Sequence, residues 1–484
     1  MSQSQAKEAE AAATPRQSAG ELLAEIASGR ITAVAAVQQA LDAITGWSEL
    51  NALAHSNAVA ALARAAKVDA GEVSGPLAGL PIVVKDNIQV AGLPAAAATP
   101  GLQDAIAKSD APVLAKLVEA GAIVVATTNM HELAFGISGY NPTYQAGSEV
   151  GVRNPYDLTR FAAGSSSGTG AFVGAGAVAA GLGTDTGGSV RLPAAINGVS
   201  GLRPTLGRYP GQGLVPISRT RDTAGVLAAS VSDIELMDRV ITGDAEVQPV
   251  SLQGLKLGLG AEFLAGLDAD VQAVWDQVKA QLEAAGVEFV TVDVAEIFDL
   301  NHQVSFPVCF GEAGDHLRDY LAAYVPGKTI EDVVAAMASP DVRATYESFV
   351  LPGKLPTPDG QLVDIAPIYR HAIEVARPAL IAAYVKLFAE SGVEAVIFPT
   401  TPLVATTQGP EASAPEVFGS FIRNADPSSN AGIPGLSLAA GLGPVTGLPV
   451  GIELDGPEGS DRRLLAIGMA IESLLGRTSL PEAA

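Results

Sequence analysis

The 484-residue sequence predicts one large α/β domain, in which helices cover both faces of a β-sheet. Two observations lead to this fold class. Short apolar runs typical of buried strands alternate along the chain with amphipathic helical segments. Hydrophobic residues make up 48% of the chain, and no long Pro-, Ser- or Gly-rich linker divides it. We therefore expect a single domain over residues 18–478, a flexible N-terminal tail at 1–17 and a short C-terminal tail at 479–484.

The first predicted elements are two helices and a buried strand. Ser18 and Glu21 match a capping box at the start of the first helix, and Thr32 can cap the second. The apolar run GLPIVV, residues 79–84, indicates a buried strand that ends at Lys85. Because α/β proteins bind ligands at the carboxyl ends of strands, Lys85 is a candidate site residue. A lysine at a strand end is, however, more often only a solvated side chain.

Further along the chain, a helix is followed by a strand three times, and a last strand precedes a helix. The small-residue run at 171–181 is expected to pack as a buried helix, and the segments 351–358 and 406–415 are expected to be surface loops. The pairs are predicted at 111–121 with 122–128, at 268–286 with 287–294, at a helix ending near Ser391 with a strand at 392–400, and at 447–456 with 462–475.

Composition and charge exclude several classes of function. The formal net charge of −23 repels nucleic acids and anionic membranes, and no basic block offsets it. The single cysteine, Cys309, excludes an internal disulfide and a four-cysteine metal site. No segment has the length and hydropathy of a membrane-spanning helix, and the N-terminal residues lack the pattern of a secretory signal. We therefore expect a cytoplasmic protein that acts on a small molecule.

The stretch AAGSSSGTG, residues 162–170, leads directly into the small-residue run and is unlike a free linker. It contains Gly164-x-Ser166-x-Gly168, the pattern of the nucleophile elbow of α/β-hydrolases. An elbow also needs a preceding strand and a histidine base, and the residues before the stretch form a poor strand pattern. No histidine stands in a context that marks it as a base; the five are His55, His131, His302, His316 and His371. The elbow is therefore the weaker interpretation.

A second glycine-rich stretch, GTDTGGSVRLP at residues 183–193, could be a phosphate cradle or an oxyanion site. A phosphate-binding loop needs a Gly-Lys-Ser/Thr ending, and the lysine is missing here. The backbone N–H groups of Thr186, Gly187 and Gly188 could instead hold an oxyanion, with Ser189 next to them. This arrangement suits acyl transfer.

A serine nucleophile needs a base, and a lysine can serve when it is neutral. Burial among apolar residues lowers the pKa of a lysine from its usual value of about 10.4. A second serine can relay the proton between the nucleophile and the lysine. A metal centre is not expected, because His131 in HELAF is followed by Phe135 where a zinc-protease motif has its second histidine. His131 is expected to be a hydrogen-bonded structural residue or part of a pocket wall.

Taken together, these motifs resemble those of the amidase signature family. The resemblance includes Lys85, the Ser/Gly loop, the long run at 183–210, and the stretches NAGIPGLSLAAGL and GLPVGIELDG at 430–442 and 447–456. It covers most of the chain, over residues 18–478. It implies the family's fold, a single α/β domain with a mixed central β-sheet covered by helices on both faces.

The resemblance also implies roles for individual residues. Lys85 matches the family's catalytic base, Ser165 the bridging serine whose preceding peptide bond is cis, and Ser189 the acylated nucleophile. The N–H groups of residues 186–189 would form the oxyanion hole, and Arg191 would support that loop. The Ser/Gly loop departs from the family's Gly-Gly-Ser-Ser-Gly-Gly at its first and fifth positions, which puts its local geometry in question. Neither a metal nor an organic cofactor is implied.

Within the family, residues 128–141 and 207–225 look most like the branch of indoleacetamide and mandelamide hydrolases, and arylacylamidases and urethanases are also similar. The expected substrate is a small, neutral, apolar or aryl-containing amide, with a carbamate or an ester as alternatives. Met130, Phe135 and Tyr140 follow a predicted strand and are candidates for the substrate pocket. Leu133, in the same stretch, fits the pocket and the core equally well.

Two other functions use the same motifs. The A subunit of a tRNA-dependent amidotransferase shares them, although the match to the arylalkylamide branch favours a free-standing amidase. A non-catalytic binding protein on the same fold is the second alternative, and the retention of Lys85, Ser165 and Ser189 argues against it. The segment 294–408 carries no motif and is expected to help close the pocket. The enzyme is expected to be a monomer or a homodimer.

Overall fold

A mixed sheet of eleven strands runs through the centre of the structure, a computed structural model that describes residues 16–145, 150–357 and 360–481. The strand order is β1-β3-β2-β6-β8-β7-β14-β15-β13-β9-β10, and two small hairpins, β4–β5 and β11–β12, lie outside this sheet. The strands are β1 Leu53–Ser56, β2 Pro81–Lys85, β3 Ile123–Thr128, β4 Arg153–Asn154, β5 Asp157–Phe161, β6 Ala180–Asp185, β7 Ser200–Arg203, β8 Thr223–Ala228, β9 Lys256–Gly260, β10 Glu288–Val292, β11 Lys354–Pro356, β12 Leu362–Asp364, β13 Ala395–Pro399, β14 Gly435–Leu442 and β15 Pro449–Asp455.

Helices cover both faces of the sheet, as the sequence predicts. No helix in the described ranges is long and apolar enough to cross a membrane. The α-helices are α1 Ala19–Ala27, α2 Ala33–Gly46, α3 Ala58–Asp69, α4 Pro112–Glu119, α5 Ser167–Gly174, α6 Arg191–Ile196, α7 Val231–Thr242, α8 Ala269–Ala284, α9 Ala295–Tyr324, α10 Ile330–Ala336, α11 Pro340–Thr345, α12 Ile365–His371, α13 Arg377–Ser391, α14 Pro415–Ile422, α15 Asp426–Ala431 and α16 Asp461–Leu475.

Strand β2 illustrates how the two faces are filled. Successive side chains of a strand point to opposite faces. Ile82 and Val84 pack in the larger core cluster with α4, α7, α8 and α16, whereas Val83 packs in a second cluster with α2, α3 and α5. Lys85 falls on the same face as Val83, which places it beside the N-terminal end of α5.

Several local predictions are confirmed. Ser18 Oγ accepts a hydrogen bond from the Glu21 N–H at 3.1 Å, and the Glu21 carboxylate accepts one from the Ser18 N–H at 2.7 Å. Thr32 Oγ1 caps α2 by accepting a hydrogen bond from the Ala35 N–H at 3.1 Å. All the predicted helix–strand pairs are present, with ends that shift by a few residues.

The run at 171–181 is not one buried helix, and this prediction was wrong. Helix α5 ends at Gly174, and the chain passes through Gly176, with φ at +71°, before β6 begins at Ala180. The small residues serve a different purpose, because a Cβ on Gly181 would lie 2.7 Å from the Thr169 side chain and 2.8 Å from the Val83 carbonyl oxygen. Glycine therefore lets the strand approach both its neighbour in the sheet and the helix above it.

Two predicted loops also contain regular structure. Residues 351–358 include β11, which pairs with β12 in an antiparallel hairpin, and 406–415 include a 3₁₀ turn at Pro410–Ser413. Within 406–415, Gln408 is buried and its amide donates to the carbonyl oxygens of Ser138 and Val152 at 3.1 and 2.7 Å. Short strands rich in proline and glycine lack the periodicity that would reveal them in the sequence.

Hydrogen bonds hold the chain just outside both ends of the predicted domain. Residues 1–15 of the predicted N-terminal tail lie outside the described residues, but Arg16 is buried and donates to the carbonyl oxygens of Gly174 and Gly198 at 2.9 and 2.6 Å. Near the other end, Tyr156 Oη donates to the Ser479 carbonyl oxygen at 2.6 Å. The packed structure therefore includes Arg16 and Ser479, one or two residues beyond the expected limits.

Candidate active site

Lys85 is the last residue of β2, between two parallel neighbours, β3 and β6. Its Nζ lies 2.8 Å from Ser165 Oγ and 2.8 Å from Thr184 Oγ1. Complete burial disfavours the charged ammonium and lowers the pKa of Lys85 to about 7, although the carboxylates of Asp185 and Asp222 oppose the shift. Near neutral pH, a large share of this lysine is thus neutral and able to accept a proton.

The loop before α5 carries Ser165 and connects Lys85 with the glycine-rich stretch. The Gly164–Ser165 peptide bond is cis, as predicted. The Ser165 carbonyl oxygen accepts a hydrogen bond from the His131 N–H at 3.3 Å, and the Ser166 N–H donates to the Ser189 carbonyl oxygen at 3.2 Å. The structure therefore brings together Lys85, Ser165 and Ser189, which we call the serine–lysine cluster.

The hydroxyl of Ser166, the serine of the elbow pattern, is hydrogen-bonded to the backbone of β6. Its Oγ donates to the Thr184 carbonyl oxygen at 3.2 Å and accepts from the Thr184 N–H at 3.3 Å. The residue is fully buried and does not line the cavity described below, whereas Ser189 does. This geometry disfavours Ser166 as a nucleophile.

The loop between β6 and α6 exposes backbone N–H groups beside Ser189. Those of Thr186, Gly187 and Ser189 have no hydrogen-bond acceptor among the described residues. The Gly188 N–H differs from the expectation, because it donates to Asp185 Oδ1 at 2.9 Å and is not free for an oxyanion. Gly188 has φ at +113°, and a Cβ there would lie 2.9 Å from the Ala425 Cβ, so this position requires glycine.

A buried network of charges holds that loop in place. The Asp185 carboxylate accepts hydrogen bonds from Arg191 Nε at 3.1 Å and from an Arg203 guanidinium nitrogen at 3.0 Å. Burial alone would raise the pKa of Asp185, but the two guanidinium groups hold it well below its usual range. Arg191 also pairs with Glu453 and donates to Ser429 Oγ at 2.6 Å. Arg191 supports the loop as expected, and the network explains how.

Ser189 opens onto a cavity of about 600 Å³. One side of the cavity is formed by phenylalanines from several elements, which we call the aromatic wall. The Phe310 ring is nearly parallel to that of Phe135, with centroids 5.9 Å apart, and to that of Phe349, with centroids 5.6 Å apart. Part of the segment 294–408 thus lines the cavity. The aromatic wall consists of Phe135, Phe306, Phe310, Phe349 and Phe418.

Of the three residues predicted to form the pocket, only Phe135 lines the cavity, and the assignment of Met130 and Tyr140 was wrong. Leu133 and Ala134 have positive φ, at +50° and +59°, and turn the chain sharply after β3. As a result, Met130 and Leu133 are buried in a core cluster with α9, α10 and α11 and do not line the cavity.

The polar side chains of the cavity are mostly paired. Arg221 lies 3.7 Å from Asp426 and donates to the Asn430 side-chain oxygen, so its charge is compensated. His131 Nε2 lies 3.2 Å from Asp341 Oδ2, which fits the expectation of a histidine in the pocket wall. Burial of Asp341 would raise its pKa, but the neighbouring His131 lowers it to about 2, so Asp341 carries a negative charge at neutral pH. The lining of the cavity thus includes two carboxylates, those of Asp341 and Asp426, and one guanidinium group, that of Arg221.

Metal-ligating side chains do not gather near this site. Over the parts of the chain that the structure describes, no three His, Cys, Asp or Glu side chains are placed to hold a metal ion. The chemistry that the arrangement offers is that of a serine hydroxyl, a second serine and a buried lysine beside free backbone N–H groups.

Comparisons with known proteins agree with the fold. The sequence model of the family described as Amidase matches residues 35–465. The chain is 47% identical over 456 residues to mandelamide hydrolase from Pseudomonas putida, covering 93% of this chain and 90% of that protein. It is 41% identical over 442 residues to indoleacetamide hydrolase from Agrobacterium vitis, covering 90% and 91%. A solved structure of a peptide amidase in complex with the competitive inhibitor chymostatin superposes with a TM-score of 0.81, at 26% identity, covering 96% of this chain and 99% of that one.

The fold and these relatives define a hydrolase that acts on amide C–N bonds. More specifically, the chain belongs to the amidase family, which confirms the resemblance that its motifs carry.

Proposed function

We propose that this protein is an amidohydrolase for neutral, aryl-containing amides that works through a Ser189 acyl-enzyme, with Ser165 and Lys85 as the proton relay. The observation that carries the proposal is the buried Lys85 Nζ, 2.8 Å from Ser165 Oγ. Its pKa of about 7 suits a base that works near neutral pH. Ser189 is the member of the serine–lysine cluster that lines the cavity.

The reaction is a two-step acyl transfer. Neutral Lys85 accepts a proton from Ser165, which accepts one from Ser189 as the Ser189 oxygen attacks the amide carbonyl. The N–H groups of Thr186, Gly187 and Ser189 stabilise the oxyanion that forms. The proton then returns through Ser165 to the leaving amine, and water cleaves the acyl-enzyme in a second pass through the same groups. Neither a metal nor an organic cofactor takes part.

The aromatic wall supports the substrate class. Flat apolar surfaces stack well with aromatic rings, and the rings of Phe135 and Phe349 are each nearly parallel to that of Phe310. The names of two relatives, mandelamide hydrolase and indoleacetamide hydrolase, also describe amides with aromatic groups. An anionic substrate would need a cationic partner, and the Arg221 charge is already paired with Asp426. Aryl carbamates and esters present a similar carbonyl group and belong in the same test.

The experiment is a kinetic panel with product analysis on the purified chain alone. It compares aryl amides, anilides, aryl carbamates and esters with acetamide and glutamine. The aryl amides should give the highest kcat/KM, and glutamine the lowest. Activity only in a copurifying complex with glutamine as donor would favour the amidotransferase A subunit, and no turnover of any compound would favour a binding protein.

The nucleophile is tested separately with a serine-reactive phosphonate. The label should be found on Ser189, and it should be lost in Ser189→Ala. Ser166→Ala is the matched control, because Ser166 is the alternative nucleophile of the elbow pattern. A label on Ser166 would contradict the proposed mechanism.

A further inference from the structure

The turn at 217–222 is connected to the loop that carries Ser189 by one carboxylate, that of Asp222. Asp222 Oδ1 accepts a hydrogen bond from Thr186 Oγ1 at 2.6 Å. Asp222 Oδ2 accepts hydrogen bonds from the N–H groups of Ile217 and Ser218, both at 2.9 Å. The carboxylate therefore closes its own turn and, at the same time, holds the side chain of Thr186.

Thr186 is the only residue between Asp185 and Ser189 that has a side chain, since Gly187 and Gly188 separate it from the serine. The loop is fixed at its start by the Asp185 network. Its middle can be fixed by a side chain only at Thr186. Two of the three free N–H groups, those of Thr186 and Gly187, adjoin this residue.

We propose that Asp222 is a positioning residue of the reaction: by holding Thr186 Oγ1, it fixes the Thr186 and Gly187 N–H groups in the orientation that stabilises the oxyanion. This inference rests on the proposed acyl-enzyme mechanism. Asp222 itself does not touch the substrate, and it acts through Thr186. Its turn also carries Ile217, which lines the cavity, so the same contact sets the distance between the cavity wall and the loop.

Thr186→Val tests the contact with little change of shape, because it removes the hydroxyl donor and keeps the backbone N–H. Misplaced oxyanion donors weaken transition-state binding more than substrate binding, so kcat should fall roughly ten- to hundredfold while KM changes little. An aryl trifluoromethyl ketone, whose adduct with serine carries an oxyanion, should lose affinity by a similar factor.

Thr205→Val is the matched control. Thr205 Oγ1 donates to Asp461 Oδ2 at 2.6 Å, and Thr205, like Thr186, is buried. The contact has the same length and chemistry but does not adjoin the cavity. This variant should lower the midpoint of thermal unfolding and leave kcat and the affinity for the ketone unchanged.

Asp222→Ala should lower kcat as Thr186→Val does, and the double variant should be no worse than Asp222→Ala alone, since residues that act through one contact are not additive. If Asp222→Ala does not fold, Thr186→Val still decides the question. Wild-type kcat and ketone affinity in Thr186→Val, with Ser189→Ala inactive, would overturn this inference and leave the proposed function intact. Activity in Ser189→Ala would overturn the mechanism and this inference with it.

Discussion

The serine–lysine cluster, through Ser189, and the aromatic wall meet at the same cavity, but they are held together by different forces. In the cluster, Lys85, Ser165 and the loop before α6 are fixed by short hydrogen bonds and by a buried network of charges around Arg191. In the aromatic wall, ring stacking and packing fix the side chains, and Phe306 is 43% exposed.

The difference has consequences for substitution. A buried charge that loses its partner retains a large desolvation penalty, so the charged network beneath the cluster tolerates almost no change. Stacked rings can repack, and the loss of one contact is worth only about 0.5–1.5 kcal/mol beyond its area. Chemistry should therefore be fragile in this enzyme, and substrate preference should be adjustable.

The largest effects are expected from substitutions in the cluster itself. Ser189→Ala and Lys85→Met should each lower kcat on the order of 10⁴-fold or more, because one removes the nucleophile and the other the base. Lys85→Met should not lower the midpoint of thermal unfolding, since it removes a buried amine whose protonation opposes folding near pH 7. Kinetics and thermal unfolding on the same preparations check both statements. Measurable turnover in a well-folded Ser189→Ala would show that another group is acylated.

The second prediction concerns the network beneath the cluster. Arg191→Met leaves the carboxylates of Asp185 and Glu453 buried without their main partner, and should lower the free energy of unfolding by about 3–5 kcal/mol. The matched control is Arg463→Met, whose ion pair with Glu394 is exposed and should contribute less than about 1 kcal/mol. Urea unfolding measures both. Equal effects in the two variants would mean that the buried network is not what holds the loop.

Part of this organisation was predictable from the sequence, because it is local. The end of a strand at Lys85 and the capping box at Ser18 lie within continuous stretches, and the resemblance that implies the roles of Ser165 and Ser189 rests on two such stretches. Even so, four adjacent N–H groups look alike in the sequence. Only the structure reveals that the Gly188 N–H donates its hydrogen bond to the Asp185 carboxylate.

The aromatic wall was largely invisible to sequence reasoning for a physical reason. Phe310 belongs to α9, Phe349 to the turn after α11 and Phe418 to α14, and their rings meet only because distant helices pack together. No spacing rule connects residues so far apart in the chain. Met130 was misplaced for a different reason, since the reversal after β3 depends on positive φ at non-glycine residues, which the sequence does not mark.

The two regions should also differ in their effect on the pH dependence of the reaction. Burial lowers the pKa of Lys85 from 10.5 to about 7, so the neutral base predominates above pH 7 and the ammonium below it. The value of kcat/KM should therefore fall about tenfold per pH unit below that point. Variants of the aromatic wall should keep the same profile, because their rings carry no titrating group. A profile that stays flat down to pH 5 would contradict the role of Lys85 as the base.

The smallest expected effect comes from the aromatic wall. Phe349→Leu removes the ring that stacks on Phe310 at 5.6 Å but keeps an apolar side chain in its place. Without this ring, the aryl group of the substrate should lose a ring–ring contact worth about 0.5–1.5 kcal/mol. The loss should raise KM for an aryl amide by about two- to tenfold and leave kcat nearly unchanged. The kcat/KM for acetamide, which has no ring to stack, should stay the same.

Phe289→Leu, in the edge strand β10 away from the cavity, is the matched control and should change kcat/KM for neither substrate. If Phe349→Leu lowered kcat/KM equally for the aryl amide and for acetamide, the wall would be acting on the chemistry through the cluster, and the separation of the two regions would fail.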